Sequence, residues 1–168
     1  SREVRLPYAW FSLGGNVGDV PETFARALRD LRELALSPMR VSGLYASEPV
    51  GGPGQAPFVN QVVGFRPRYS PTATLRGLWH IEREHGRDRA AEVRWGPRPL
   101  DIDILIWPDT VLFDPQLTLP HPRLAQRRFV LEPLASLDPD LPVPGLDRTV
   151  GELLADCNDP HWVKALPQ

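Results

Sequence analysis

The chain contains one cysteine, Cys157, and one lysine, Lys164, in 168 residues. A lone cysteine excludes an intrachain disulfide framework and fits a reducing compartment. A lone lysine so near the C-terminus excludes a G-x-x-x-x-G-K-[ST] phosphate loop, whose lysine must follow a glycine-rich turn. No apolar run is long enough to cross a bilayer. The first residues lack the apolar stretch of a secretory signal, so the cytoplasm is the expected compartment. A net charge of −2 gives no general attraction to nucleic acid or membrane. No serine or cysteine stands in a nucleophile-elbow context, so no covalent enzyme intermediate is expected. No internal repeat or low-complexity linker divides the chain.

What is present is a globular composition, 42% hydrophobic, of a length that suits a single domain over residues 1–168. The 20 prolines fall mostly between periodic segments and predict long ordered loops. Positive charge is nearly all arginine. Arg76, Arg83, Arg87, Arg89, Arg94 and Arg98 occupy one short stretch, and Asp101 and Asp103 follow at once. A cationic segment therefore abuts an anionic one.

Periodicity predicts a strand over Tyr8 to Leu13, ending in the Gly-rich turn Gly14 to Asp19. Asp19 as N-cap, Glu22 three residues on and Pro21 in the first turn predict a helix with the stripe Phe24, Ala27, Leu28, Leu31 and Leu34. Strands are expected over Val41 to Ser47 and Phe58 to Phe65. A second helix should run from Ser70-Pro71 to His85 with Leu75, Leu78 and Trp79 buried, and Gly86 should end it. Leu100 to Trp107 reads as a fourth strand, Val111 to Leu119 as a hairpin, and Phe129 to Leu137 and Thr149 to Asp156 as short helices. The order β-α-β-β-α-β is that of a ferredoxin-like α+β sandwich: a mainly antiparallel sheet, helices packed on it, and long loops at the site.

The sharpest chemical signal is Asp101-Ile102-Asp103. Alternate residues on a strand share a face, so the two carboxylates point one way, about 7 Å apart, while Ile102 and Ile104 point into the core. Paired carboxylates on an apolar strand repel each other and lose hydration. A pair of Mg²⁺ ions offsets both costs; the plain alternative is a strand-end ion pair to Arg94 or Arg98. Arg94 and Arg98 stand just before that strand, and guanidinium forks match phosphate oxygens. Phosphate-binding cations beside metal-binding carboxylates suit phosphoryl transfer from Mg-ATP. Glu82 lies on the apolar face of its helix. It either pairs with an arginine or faces the nucleotide, and the nucleotide is the reading preferred.

The segment Arg94-Trp-Gly-Pro-Arg98-Pro-Leu-Asp101-Ile-Asp103-Ile-Leu105 resembles throughout the signature of the hydroxymethyldihydropterin pyrophosphokinases of folate synthesis. Supporting segments follow in the family's order: Leu13 to Asn16 with Gly18-Asp19, Tyr45 to Pro49, Phe58 to Asn60, Ile81-Glu82 with Gly86-Arg87, Leu119 to His121, and Arg127 to Leu134. The resemblance implies transfer of a diphosphate from ATP to 6-hydroxymethyl-7,8-dihydropterin with two Mg²⁺ ions on Asp101 and Asp103. It implies that Arg87 and Arg98 act on the phosphates with those carboxylates. Glu82, Arg89, Arg94, Ile104, His121 and Arg127 complete the implied ATP site. It places the pterin between Phe58 and Phe129, read by Asn60 and by the backbone of Ser47, Glu48 and Val50, near Asp101 and covered by Trp95. Asn16 would tie the first loop to the site. Three positions depart from the pattern: Glu48 where proline is frequent, Trp79 where glutamine is common, and Pro122 where tyrosine is frequent.

A monomer is expected, with a dimer as the alternative, and neither nucleic acid nor membrane as partner. Two rival functions are weighed. A metal-dependent nucleotide-sugar transferase using Asp101-x-Asp103 is disfavoured by the short chain and the lack of a Rossmann-like start. A non-enzymatic RNA-binding ferredoxin-like module is disfavoured because no strand carries the RNP aromatic pattern.

Overall fold

The computed structural model describes residues 6–50, 54–88, 90 and 96–168. Strand β1 (Ala9–Gly15) leads through a tight turn into helix α1 (Val20–Leu31). Asp19 Oδ1 accepts the Glu22 backbone N–H at 3.2 Å, satisfying one of the helix's orphan donors. Phe24, Ala27 and Leu31 form the buried stripe, and a 3-10 turn over Arg32–Leu34 extends it.

The expected strand over Val41 to Ser47 is two strands, β2 (Arg40–Val41) and β3 (Tyr45–Ser47). Both pair with β4 (Phe58–Phe65). Val41 opposes Val63 while Tyr45 opposes Asn60, so four steps on one side meet three on the other. Ser42 absorbs the surplus residue as in a bulge. Its Oγ accepts the Val62 N–H at 2.9 Å, and its carbonyl accepts from Gln61 Nε2 at 2.8 Å.

Helix α2 (Pro71–Glu84) starts at Ser70, whose side chain accepts the Ala73 N–H, and stops where Gly86 takes φ 90°, a conformation that favours glycine. Its buried residues are Thr74, Leu78, Ile81 and Glu82. Leu75 and Trp79, expected inside, are only half-buried. The helix is turned so that an acid, not an indole, meets the next strand: Glu82 Oε2 accepts the Ile102 N–H at 2.8 Å.

That strand, β5 (Asp101–Ile106), pairs antiparallel with β1. Numbering β2/β3 as one strand, the sheet runs second–third–first–fourth, the antiparallel arrangement expected of the ferredoxin-like order. The hairpin β6 (Leu112–Phe113) and β7 (Thr118–Leu119) is present as expected. Helix α3 (Arg128–Leu137) follows, then the ladder β8 (Pro142–Val143) with β9 (Arg148–Thr149), and helix α4 (Val150–Ala155) with a capping box from Thr149 and Glu152. Strand β10 (Val163–Ala165), not foreseen, closes the sheet edge on β3. Strands of two or three residues are too short to show a period.

The sheet has two faces. Phe11, Leu13, Val63, Phe65, Ile102 and Ile104 pack under α1 and α2. Trp10, Val62, Leu105 and Ile106 pack under α3 and α4. A register shift beside Trp10 and Phe11 changes the phase of β5, so Leu105 and Ile106 both serve the second face. Gly64 is required there: a Cβ would lie 2.5 Å from the Trp10 ring. Helix α3 covers only one half of that face. The other half carries Ser12 and Gly14 of β1, Asn60 of β4, and Asp101 and Asp103 of β5.

Candidate functional site

The uncovered half of the sheet is the floor of a cavity of about 700 Å³. Register sets its layout. Asp101 lies opposite Gly14, and Gly14 opposite Asn60, so one row crosses three strands; Asp103 lies opposite Ser12 in the next. Small residues in the middle strand leave the cavity open between the carboxylates and the amide.

Asp101 and Asp103 share the cavity face as the sequence predicts, with Ile102 and Ile104 buried behind them at 2% and 3% exposure. Burial first, and Asp101 second, push the Asp103 carboxyl up to about 7. Arg127 Nη1 lies 3.7 Å and His121 Nε2 3.8 Å from Asp103 Oδ2. The Arg123 backbone N–H donates to His121 Nδ1 at 3.1 Å, so the imidazole proton sits on Nε2. Burial, and then the Arg127 charge, lower His121 to about 4. His121 is thus a neutral Nε2–H donor at neutral pH.

Behind Asp101 stands an ion chain. Arg87 Nη1 donates to Asp101 Oδ1 and to Glu82 Oε2, both at 2.7 Å. Glu82 is 1% exposed. Of its two expected environments, the arginine pair is present, Arg87 Nη1 lying 2.7 Å from Glu82 Oε2. Glu82 also lines a second hollow of about 390 Å³ with Trp79, Arg83 and Arg87.

The opposite end of the cavity gathers Ser47, Glu48, Val50, Phe58, Asn60 and Phe129. Asn60 Nδ2 donates to Ser47 Oγ at 2.8 Å and to the Tyr45 carbonyl at 3.4 Å. The Arg127 guanidinium sits over the Phe129 ring, 5.6 Å from its centroid, joining the two ends. Pro133 inside α3 has no N–H to give the Phe129 carbonyl, which loosens the helix where that ring projects. Asn16 ties two segments to its own turn. Its Oδ1 accepts the Arg98 N–H at 2.8 Å, and its Nδ2 donates to Gln55 Oε1 at 3.1 Å and to the Ala56 carbonyl at 3.4 Å.

Other expected site residues lie elsewhere. The Arg98 guanidinium donates to the Gly96 and Pro97 carbonyls and does not line the cavity. The Ile104 side chain belongs to the helix-side core, so only its backbone is left for a ligand. Arg89, Arg94 and Trp95 lie outside the described residues. Sequence reasoning missed Arg123, Gln126 and the segment Asp156 to His161, which line the cavity. After Asp156, the end of an expected helix, that segment is a polar, proline-containing run without periodicity and reads only as loop.

Among the described residues, no three His, Cys, Asp or Glu side chains converge as a metal cage. Two hard carboxylates facing a roomy cavity fit Mg²⁺, which takes one or two carboxylates and completes its shell with water and phosphate. Burial leads the upward push on Asp103 and the neighbouring Asp101 charge adds to it, and a bound cation would relieve both.

A family model described as 7,8-dihydro-6-hydroxymethylpterin-pyrophosphokinase (HPPK) matches residues 10–139. A 2-amino-4-hydroxy-6-hydroxymethyldihydropteridine pyrophosphokinase of Pseudomonas aeruginosa is 41% identical over 149 residues, covering 88% of this chain and 90% of that relative. The protein of that name from Bacillus subtilis is 41% identical over 131 residues, covering 77% of each. Among solved structures, wild-type Plasmodium falciparum HPPK-DHPS with pteroate superposes with a TM-score of 0.67 at 16% identity. It covers 92% of this chain, and this chain spans 43% of it, so the likeness concerns the fold alone. With a family match over most of its length and relatives at this identity, the chain belongs to the HPPK family.

Proposed function

We propose that this protein transfers the β,γ-diphosphate of ATP to the hydroxymethyl group of 6-hydroxymethyl-7,8-dihydropterin in folate biosynthesis, releasing AMP. The observation that carries the proposal is the layout of one cavity. Paired carboxylates with Arg127 and His121 stand at one end, and Phe58, Asn60 and Phe129 at the other, on one open sheet face.

Asp101 and Asp103 would hold two Mg²⁺ ions. Held by these carboxylates, such ions would supply positive charge to offset the negative charge of the phosphate oxygens. Arg127 and the neutral His121 donate to the phosphates from the cavity wall. Arg87 and Arg98 act on the same phosphates; Arg87 already holds Asp101 in place, and its second bond, to the buried Glu82, fixes its direction. By the family resemblance, Arg89 and Arg94 belong with the ATP and Trp95 with the pterin. The backbone at Ile104 and the hollow beside Glu82 serve the nucleotide end.

Phe58 and Phe129 hold the pterin ring, which favours offset stacking. Asn60 has spent its Nδ2 on Ser47 and Tyr45, so Oδ1 is the group that accepts from the ring's polar edge. The backbone of Ser47, Glu48 and Val50 completes that edge. Holding alcohol and phosphate on one rigid floor supplies orientation. We read the chain as one domain, acting as a monomer in the cytoplasm, where its free cysteine, Cys157, stays reduced.

Incubation with ATP, Mg²⁺ and the dihydropterin alcohol should yield AMP and pterin diphosphate in equal amounts. ADP with a pterin monophosphate would overturn the assignment.

A further inference from the structure

One wall of the cavity lies beyond the stretch that the family model matches, which ends at residue 139. Asp156, Asn158, Asp159, Pro160 and His161 form it. The segment is a strap fastened at both ends.

On the α3 side the fastener is Asp159, whose side chain is 5% exposed. Its Oδ2 accepts the Arg128 backbone N–H at 3.1 Å. Its Oδ1 accepts the His161 backbone N–H at 3.0 Å and faces His161 Nδ1 at 2.6 Å. Arg128 Nη2 returns bonds to the carbonyls of Cys157 and Asp159, at 3.0 and 3.2 Å. On the β3 side the fastener is Glu48. Its backbone N–H donates to the Trp162 carbonyl at 3.0 Å, and its Oε1 accepts the Trp162 N–H at 3.3 Å. The ladder β10–β3 continues the seam, with Val163 opposite Ser47.

Each fastening lies beside a wall of the pterin slot: Arg128, held by Asp159, precedes Phe129, and Glu48 follows Ser47. The strap therefore spans the slot from one wall to the other. It also explains why glutamate stands at 48. Proline there has no N–H to give Trp162 and no carboxylate to receive one.

We propose that the strap Cys157 to Trp162 is a substrate-positioning wall of the pterin slot, with Asp159 and Glu48 as positioning residues and His161 as its contact with the ring. The proposal rests on the reading of Phe58, Asn60 and Phe129 as that slot. Asp159 takes the Nδ1 proton of His161, so Nε2 is the nitrogen left for a ligand. The strap holds Phe129 and Ser47 at a fixed spacing before the pterin arrives, which lowers the ordering cost of binding. Among the described residues the nucleotide end, at Asp103, His121 and Arg127, takes none of the strap's hydrogen bonds, and the strap reaches it only through the charge of Asp159 near Arg127, so the strap acts chiefly on one substrate.

The test is calorimetric titration of the full chain with the dihydropterin alcohol, in the presence of Mg²⁺ and a non-hydrolysable ATP analogue, and with the analogue alone. The variants are Glu48→Pro, Asp159→Ala, Asp159→Asn and His161→Ala, with Asn60→Ala to probe the slot itself and melting temperatures in parallel. Glu48→Pro and Asp159→Ala should weaken pterin binding about tenfold or more and leave analogue affinity within about twofold. Asp159→Asn keeps an acceptor for the Arg128 N–H and should recover part of the loss. His161→Ala removes a half-exposed ring, is expected to fold, and should weaken pterin alone; it decides the matter if Asp159→Ala does not fold. If Asn60→Ala weakens pterin while Glu48→Pro, Asp159→Ala and His161→Ala bind it like wild type, the strap proposal is overturned. Parallel losses of both ligands in the strap variants overturn it too, because the strap would then be general scaffold. Should Asn60→Ala bind pterin normally while the strap variants do not, the slot reading fails and the strap's role in binding pterin stands.

Discussion

Removing the Glu82 carboxylate should destabilise the fold before it affects nucleotide binding. Glu82 is 1% exposed and holds two donors on one oxygen, Arg87 Nη1 at 2.7 Å and the Ile102 N–H at 2.8 Å. Breaking a buried ion pair by deleting one partner costs about 3–5 kcal/mol. Leaving the Ile102 N–H without an acceptor adds about 1–3 kcal/mol. Arg87 keeps its bond to Asp101 at 2.7 Å, which offsets part of the first loss. The net expectation for Glu82→Ala is a loss of about 3–4 kcal/mol. At about 2–4 °C per kcal/mol for a domain of this size, the midpoint should fall by roughly 6–16 °C. Glu82→Gln keeps shape and an acceptor for Ile102 but loses the charge, so about half that loss is expected. Urea unfolding of the ligand-free protein measures both, and titration with an ATP analogue supplies the contrast. If Glu82→Ala costs less than about 1 kcal/mol while analogue affinity drops about tenfold, Glu82 is a nucleotide ligand and the anchoring argument is wrong.

Three further outcomes follow from the same geometry. Asp101→Asn or Asp103→Asn takes one charge from the cation-binding face, and AMP release should fall by about a hundredfold or more; wild-type turnover in either would remove the metal role. Asp103, with a folded value of about 7 against an ordinary 3.8, favours the ligand-free fold below pH 3.8, and that contribution is lost as pH rises through about 7. Cation binding needs the ionised form, so Mg-nucleotide affinity should climb from pH 5.5 to 8 with proton release; calorimetry in buffers of different ionisation enthalpy reads this, and Asp103→Asn should flatten the slope. Phe58→Ala should weaken the pterin by about 1 kcal/mol beyond lost area and spare ATP, whereas Phe129→Ala should also weaken ATP slightly, because Arg127 rests on that ring. Equal effects of the two variants on ATP would contradict this division.

The sequence made the metal strand legible because its chemistry and its period coincide: Asp101 and Asp103 stand out of phase with Ile102 and Ile104, and only a strand separates them so. The span Phe58 to Phe65 is legible for the same reason, bounded by proline and arginine loops. The break at Ser42 is not, because it depends on a register set by the partner strand. The facing of α2 is equally hidden. Leu75, Leu78 and Trp79 make a plausible apolar stripe, and only the backbone N–H of Ile102, supplied by tertiary packing, decides that Glu82 turns inward instead. The strap illustrates a third limit. Asp159 and Glu48 lie 111 positions apart, and a lone polar residue carries no mark of the distant backbone group it will receive.

The row Asp101–Gly14–Asn60 turns the sheet into a ruler. Neighbouring strands sit about 4.8 Å apart, so the carboxylate and the amide at its ends are separated by about 10 Å of hydrogen-bonded backbone. That distance is fixed by the ladder and cannot be retuned by repacking side chains. The gap between a bound diphosphate and a bound ring is therefore decided when the sheet forms, and Gly14, at its midpoint, is where the two would meet. A Cβ at Gly14 would lie 3.7 Å from Asn60 Oδ1, an ordinary contact, so alanine fits. Any longer side chain would stand as a post between the two reactants on a floor that has no freedom to widen.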